Sequence, residues 1–215
     1  MRGAARHAIL AVLLFAALAA GAKLPVADFS QPPDMTDDTQ AALYLTLETW
    51  RIPVADANRL AVEPRLTPED FRVAVFLASQ AGVAPAEIWT ARSSGRKWAD
   101  VAAKYDVPLD QIMPTVARDY GPPYGKAYGF WRNHPKGRGD RSFLVDDVEY
   151  IALVDLQTLL KASGKPADEV ICALVAGETF TRWSSSLYRQ KHGRPDAPGK
   201  GSGKAKAPAG KSRGK

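Results

Sequence analysis

Apolar side chains recur every three or four positions over most of the chain, the spacing typical of amphipathic α-helices. In AALYLTLETW, Leu43, Leu47 and Trp50 stand at i, i+4 and i+7 and predict one face of a helix. Thr36 is the predicted cap of that helix. The alternation of Leu43, Leu45 and Leu47 would also suit a strand, but the cap and the acidic first turn favour the helix.

Start and stop signals predict the other helices. The segment Thr67-Pro68-Glu69-Asp70 combines a capping hydroxyl, a first-turn proline and acids that complement the helix dipole. That helix is predicted to run through FRVAVFLASQ and to end at Gly82. Further helices are predicted after Pro53, over PAEIWTARSS, KWADVAAKY, LVDDVEYIALVDLQTLLKAS and ADEVICALVA, and over FTRWSSSLYRQ. The predicted fold class is all-α.

The helical pattern repeats at a shift of 82 residues, for example from position 87 to position 169. Under this shift Glu87, Ile88, Ala91, Gly95 and Trp98 align with Glu169, Val170, Ala173, Gly177 and Phe180. We interpret this as duplicated helical-hairpin units, because one hairpin alone cannot bury its apolar face. The predicted divisions are an N-terminal linker (23–35), helical unit 1 (36–117), a strap (118–143) and helical unit 2 (144–192).

The strap contains the sequence YGPPYGKAYGFWRNHPKGRGDR, in which glycine and proline disfavour a helix before Tyr124 and weaken one after it. We therefore predict an extended, turn-rich segment that crosses both units. Two interpretations remain open: Tyr128 and Trp131 cap the helical cores, or the rings stay exposed beside cations. Flat rings next to cations suit sugars and anionic polymers. The candidate binding residues are Tyr124, Lys126, Tyr128, Phe130, Trp131 and Arg132.

The N-terminus has the pattern of a secretory signal. Arg2 and Arg6 precede an apolar run at 9–19, and Ala20-Gly21-Ala22 supplies small residues for cleavage after Ala22. A retained anchor is the alternative, although the run is short for a membrane span. Residues 1–22 are therefore predicted to be a signal peptide, and the mature chain is predicted to reach the periplasm or the exterior of a bacterial cell.

The C-terminal tail, 193–215, holds only small, basic and proline residues apart from Asp196, and we predict that it is disordered. Its seven Lys/Arg side chains account for the formal net charge of +6 of the whole chain. Residues 23–192 carry 20 Lys/Arg and 22 Asp/Glu, a net charge of −2. A flexible polycation attracts polyanions, or serves only to keep the chain in solution.

Catalytic and metal-binding patterns are absent from the sequence, so neither a metal nor a cofactor is predicted. The acidic pairs Asp37-Asp38, Glu69-Asp70 and Asp146-Asp147 each precede a helix, where capping explains them. An envelope hydrolase would require carboxylates such as Glu87, Glu169 and Glu178 to converge in a cleft. The single cysteine, Cys172, lies among apolar neighbours and is predicted to be buried.

The segment GRKWADVAAKYDVPLDQI (95–112) resembles a helix-turn-helix, which implies nucleic-acid binding. It also looks like part of a LysM domain, which implies peptidoglycan binding and flanking strands; the matching positions are Gly95, Trp98, Val101, Ala102, Tyr105, Val107, Leu109 and Ile112. Three basic side chains face three acids in this segment, so no basic face for phosphates is expected. More broadly, the YGKAYGFW strap with a following helical unit resembles uncharacterised exported helical proteins of Gram-negative bacteria, which implies no activity.

Together these features predict an exported, non-enzymatic binding or scaffolding protein of the bacterial periplasm or cell envelope. The expected partner is peptidoglycan or another glycan or anionic envelope polymer, and no nucleic acid is expected. The alternatives are an envelope hydrolase with helix-borne carboxylates and a nucleic-acid binder that uses the 95–112 segment.

Overall fold

The computed structural model describes residues 24–25, 28–133 and 145–193, and all regular structure within these ranges is helical. The predicted all-α class is therefore confirmed. The predicted signal peptide, the strap from 134 onward and the tail after Gly193 lie outside the described residues. The α-helices of the described part are α1 (Asp38–Trp50), α2 (Val54–Ala61), α3 (Pro68–Ala81), α4 (Pro85–Ser93), α5 (Trp98–Lys104), α6 (Gly125–Asn133), α7 (Asp147–Ser163), α8 (Ala167–Val175) and α9 (Phe180–His192).

Most helix ends form where the sequence signals place them. The Thr67 hydroxyl accepts a hydrogen bond from the Asp70 amide at the start of α3. Asp146 and Glu149 form a reciprocal capping box at the start of α7. Helices α3 and α7 both end in a left-handed glycine, Gly82 with φ of 69° and Gly164 with φ of 68°.

One predicted cap is wrong. Asp37, not Thr36, caps α1, and its carboxylate accepts hydrogen bonds from the amides of Thr39 and Gln40. The Thr36 hydroxyl instead donates to Asp34 Oδ1 at 2.7 Å. Both residue types cap well, and here the acid one position later is the one that reaches the free amides.

The strap differs from the prediction as well, because Gly125–Asn133 forms α6 instead of an extended segment. Ala127 and Phe130, three residues apart, are both buried on one side of this helix. Tertiary packing of such a face supplies most of the stability of short helices in proteins. That packing outweighs the low helix propensity of Gly125 and Gly129.

One large hydrophobic core runs through both predicted units, and a small second cluster lies between α1 and α9. Helix α3 contacts α1, α2, α4 and α7, and α7 contacts α1, α5, α8 and α9, so these two helices lie at the centre. The first helix also packs against the last, α1 against α9. The predicted linker contributes too: Phe29 is buried and its ring stacks on Phe71 at 5.2 Å. The helices of the described ranges all lack the combination of length and apolar character that a membrane span requires.

Helix boundaries in the two halves correspond at the shift of 82 residues. The starts of α4 and α8 differ by this shift, as do those of α5 and α9. The same shift relates the positive-φ glycines, Gly82 to Gly164 and Gly95 to Gly177. These positions agree with a repeated unit, while duplication itself stays a prediction.

Cys172 lies on the exposed side of α8, so the prediction that it is buried is wrong. Val170 and Ile171 are the side chains of α8 that the core buries. Cys172 is the next residue after Ile171, and the turn of the helix places its side chain away from the core.

Candidate functional site

Three strap rings line one side of α6. Tyr124 directly precedes the helix, and Tyr128 and Trp131 follow at i+4 and i+7, a spacing that places side chains on one face. All three rings are half-buried against the core. The indole Nε1–H of Trp131 donates to the carbonyl of Met113 at 2.9 Å. The rings are therefore held in place and each keeps part of its surface open.

The other three predicted site residues differ in exposure. Phe130 is fully buried and packs edge-on against Trp131 at 5.2 Å, so it belongs to the core and offers no surface to a ligand. Arg132 is exposed. Lys126 is partly exposed, with its Nζ 3.5 Å from Glu149 Oε2. Of the predicted set, the structure thus places three half-buried rings on one side of α6. Arg132 follows Tyr128 at i+4 on that side, whereas Lys126 lies on the opposite side, next to Glu149.

A buried ion pair lies within electrostatic reach of Tyr124. Arg72 Nε and Nη2 donate to Asp155 Oδ1 and Oδ2 at 2.7 and 2.9 Å, and its guanidinium stands 4.5 Å from the centre of the Phe180 ring. Burial raises the pKa of Asp155, and the Arg72 guanidinium opposes that shift. Burial and the nearby Asp155 carboxylate raise the pKa of Tyr124 to about 12. Tyr124 therefore keeps its proton at neutral pH and remains a hydrogen-bond donor.

The start of the strap is fastened to α8. The Tyr120 hydroxyl and the amide of Ala117 both donate to Asp168 Oδ1. The Arg118 guanidinium lies 4.8 Å over the Tyr120 ring, and its Nη2 is 3.5 Å from Cys172 Sγ. The Arg118 guanidinium is therefore held by contacts with Tyr120 and Cys172.

Two acids in the first turns of α3 and α7, Asp70 and Asp147, both contact Trp98 of α5. The contacts of Asp147 join the two predicted units, while that of Asp70 lies within helical unit 1. Asp147 Oδ1 accepts the amide hydrogen of Trp98 at 2.8 Å, and its Oδ2 is 2.8 Å from Arg92 Nη2. Asp70 Oδ1 accepts the indole hydrogen of Trp98 at 3.2 Å. These carboxylates therefore hold α5 in place, which extends the capping role expected from the sequence.

The carboxylates of the hydrolase alternative do not converge. Glu87 is exposed on α4, Glu169 pairs with Lys165, and Glu178 lies 3.8 Å from Arg182. No contact among the described residues joins any two of the three acids. The pair of facing carboxylates that glycoside hydrolysis requires is not formed by these residues.

The 95–112 segment forms α5 and then a single 3₁₀ turn, Leu109–Gln111. The second helix that both resemblances imply is not formed, and the described residues contain no strands for a LysM-like arrangement. Most of the matching apolar side chains are buried in the core, namely Trp98, Val101, Ala102, Val107 and Ile112. They are explained by packing.

A groove that no sequence pattern predicts lies among the C-terminal parts of α1, α7 and α9. Arg51, Lys161 and Lys191 line it, each from a different helix end. The sequence signal for each is only a basic residue near the end of a helix, which the helix dipole alone explains. More than a hundred residues separate Arg51 from Lys161, so only the tertiary fold shows that the cations meet.

No set of three or more His, Cys, Asp or Glu side chains in the described part of the chain is placed to hold a metal ion. Comparisons with protein-family models, with curated proteins and with solved structures each found no match for this chain.

Proposed function

We propose that this is an exported, non-enzymatic binding or scaffolding protein of the bacterial periplasm or cell envelope, with a glycan or anionic envelope polymer as its ligand. The observation that carries the proposal is the row of half-buried rings Tyr124, Tyr128 and Trp131 on one side of α6. Sugars stack on such rings through their apolar faces. A ring already held against the core loses little freedom when a ligand covers its open side, which favours binding.

Charge supports an anionic or wall-derived ligand. Lys126 and Arg132 belong to the same helix as two of the rings, while residues 23–192 as a whole have a net charge of −2. The tail adds seven Lys/Arg side chains, which would strengthen attraction to the same polymer at low salt. The envelope assignment rests on the predicted signal peptide at 1–22.

The experiment is co-sedimentation of the chain from Lys23 onward with insoluble peptidoglycan. Tyr128→Leu combined with Arg132→Gln removes a stacking ring and an exposed cation while keeping apolar volume against the core. Arg59→Gln, at an exposed arginine on α2, is the matched control. We expect the double variant to pellet several-fold less than the parent chain and the control to pellet normally.

Salt separates stacking from charge attraction. Binding by the rings should persist at about 0.5 M salt, where exposed charges more than a few ångströms apart are screened. Pelleting that ignores the α6 variant but disappears with salt would assign binding to the tail and overturn the role of the rings. Absence of pelleting under all conditions would refute wall binding.

A further inference from the structure

The groove among α1, α7 and α9 has a volume of about 530 Å³ and is open to solvent. Three cations line it, Arg51, Lys161 and Lys191, against the single carboxylate of Glu48. The remaining lining is neutral and comes from Leu45, Thr49, Ala162, Ser163, Leu187 and Gln190. This combination of converging cations with hydroxyl, amide and apolar groups is suited to an anion that carries a larger neutral part.

The charges of the groove do not cancel. The Glu48 carboxylate pairs with Lys191 Nζ at 2.7 Å and with His192 Nε2 at 2.9 Å. Within the described ranges, Arg51 and Lys161 form no ion pair with any carboxylate. Two positive charges in the groove therefore have no carboxylate partner in the part of the chain that the structure describes, and only the partial negative charges of the helix C-termini oppose them.

The position of Lys161 is set by a buried tryptophan. Its Nζ lies 4.2 Å from the centre of the Trp50 ring, and Trp50 Nε1 in turn donates to Thr158 Oγ1 at 2.9 Å. Trp50 is 6% exposed, so the ring is a fixed support. A lysine ammonium has three donors, and the contact with a ring face leaves donors for an anion.

Arg51 occupies a position where the other long helices use glycine. It terminates α1 in the left-handed conformation with φ of 57°, and Gly82 and Gly164 do so for α3 and α7. A side chain is disfavoured in this conformation. One cation at each helix end is explained by the helix dipole, but that explanation does not require an arginine at this strained position or the meeting of three cations.

We propose that this groove binds the phosphate group of a phosphate ester. A phosphate carries up to two negative charges, and Arg51 and Lys161 supply two positive charges that no described carboxylate pairs with. The planar fork of arginine matches phosphate oxygens, and the Thr49 and Ser163 hydroxyls lie in the same lining. The volume exceeds that of a bare ion, so Leu45 and Leu187 contact the organic part of the ester. The proposal uses no residue of α6 and is independent of the proposed glycan surface.

The test is a titration of the ¹⁵N-labelled full mature chain, followed by amide chemical shifts, at constant ionic strength. The probes are glycerol phosphate, with sodium chloride as the ionic control, and vesicles of phosphatidylglycerol, with phosphatidylcholine vesicles as their control. The test variant is Arg51→Gly with Lys161→Gln. Arg51→Gly relieves the left-handed strain, so loss of folding does not confound the result. Lys165→Gln, at an exposed lysine paired with Glu169 outside the groove lining, is the matched control.

We expect shifts at amides near 48–51, 161–163 and 187–191. The test variant should bind at least about tenfold more weakly, the scale of a lost charged hydrogen bond, and Lys165→Gln should bind as the parent does. A response to glycerol phosphate assigns a free ester, and one confined to phosphatidylglycerol assigns a lipid headgroup; both support the proposal. Shifts restricted to the tail, equal affinity of the test variant, or no shift with any probe would overturn it. None of these outcomes bears on pelleting with peptidoglycan.

Discussion

The buried pair of Arg72 and Asp155 joins α3 to α7 at the centre of the core, and its removal gives the sharpest test of how the two predicted units are held together. Arg72 is 4% exposed and Asp155 is 9% exposed, so neither charge is well solvated. The variants are Arg72→Met and Asp155→Leu, which replace each charged group by an apolar one, together with the double variant.

The structure sets different expectations for the two single variants. Arg72→Met leaves the Asp155 carboxylate buried without its partner, and breaking such a pair costs about 3 to 5 kcal/mol. The Asp155 side chain is 13% exposed, so water can still solvate part of its charge. We therefore expect the destabilisation by Arg72→Met to lie at the lower end of this range, about 3 kcal/mol. Asp155→Leu should cost somewhat less, because Arg72 retains Glu69, whose Oε1 lies 3.6 Å from its Nη1. Each loss is a large fraction of the roughly 5 to 15 kcal/mol by which domains are stable.

The double variant leaves no buried charge unpaired. It should therefore recover most of the loss and lie within about 1 kcal/mol of the parent chain, since well-packed apolar replacements of buried pairs are often neutral. The assay is urea unfolding of all four chains at neutral pH, followed by far-ultraviolet circular dichroism, with free energies of unfolding combined in a double-mutant cycle. Additivity of the two single losses within about 0.5 kcal/mol would refute the reasoning, because independent sites add to that accuracy.

Three further predictions concern the thiol of Cys172, the residues that end α1 and α7, and the carboxylate of Glu48. The exposed thiol of Cys172 should react with a thiol reagent in the native chain at a rate close to that in denaturant, and a strongly slowed native reaction would contradict its exposure. Gly164→Ala should lower the free energy of unfolding by about 1 kcal/mol, because the added methyl meets no atom and the cost comes only from the left-handed backbone. Arg51→Gly removes a side chain from the same backbone conformation and should raise the free energy of unfolding by a similar amount. Changes of the same sign in the two variants would contradict this account. Burial would raise the pKa of Glu48, but hydrogen bonds from Lys191 and His192 outweigh it and place that pKa below the ordinary 4.5. The stabilisation from Glu48 should therefore be complete above pH 4.5 and be lost as pH falls through the lower pKa of the folded state. The difference in unfolding midpoint between the parent chain and Glu48→Gln should shrink on acidification. A difference that does not change with pH would refute the assignment.

The helices that the sequence predicted correctly are those bounded by local signals. Thr67, Gly82 and Gly164 act through their own backbone geometry and through side chains within one turn, which a sequence displays directly. The cap of α1 is a local error, because Thr36 and Asp37 are neighbouring residues that both suit a cap. The other wrong predictions involve tertiary contacts. Glycine and proline in the sequence predict at most a weak helix at α6, but the core that receives Ala127 and Phe130 decides that it forms. For Cys172, apolar neighbours in sequence did not reveal which side of α8 faces solvent.

The candidate sites divide in the same way. The strap residues were predictable as a group because they are neighbours in sequence, yet burial decides which of them a ligand could touch, and it removes Phe130 from the set. The groove was not predictable at all, because its cations come from the ends of three helices. Such sites depend on how helices pack, and composition or spacing along the chain carries no record of it.

The packing that creates the groove also makes the two predicted units interdependent. Arg189 on α9 donates to the carbonyl of Met35 and to Asp38 Oδ1, both at 2.6 Å, and Tyr188 packs with Ala41 and Leu45 of α1. The last helix thus completes the burial of the first, so neither unit buries its apolar surface alone. Because α1, α7 and α9 contact one another in pairs, the groove exists only when both units are present. If the units arose by duplication, the groove is a property of their union and has no counterpart within either one.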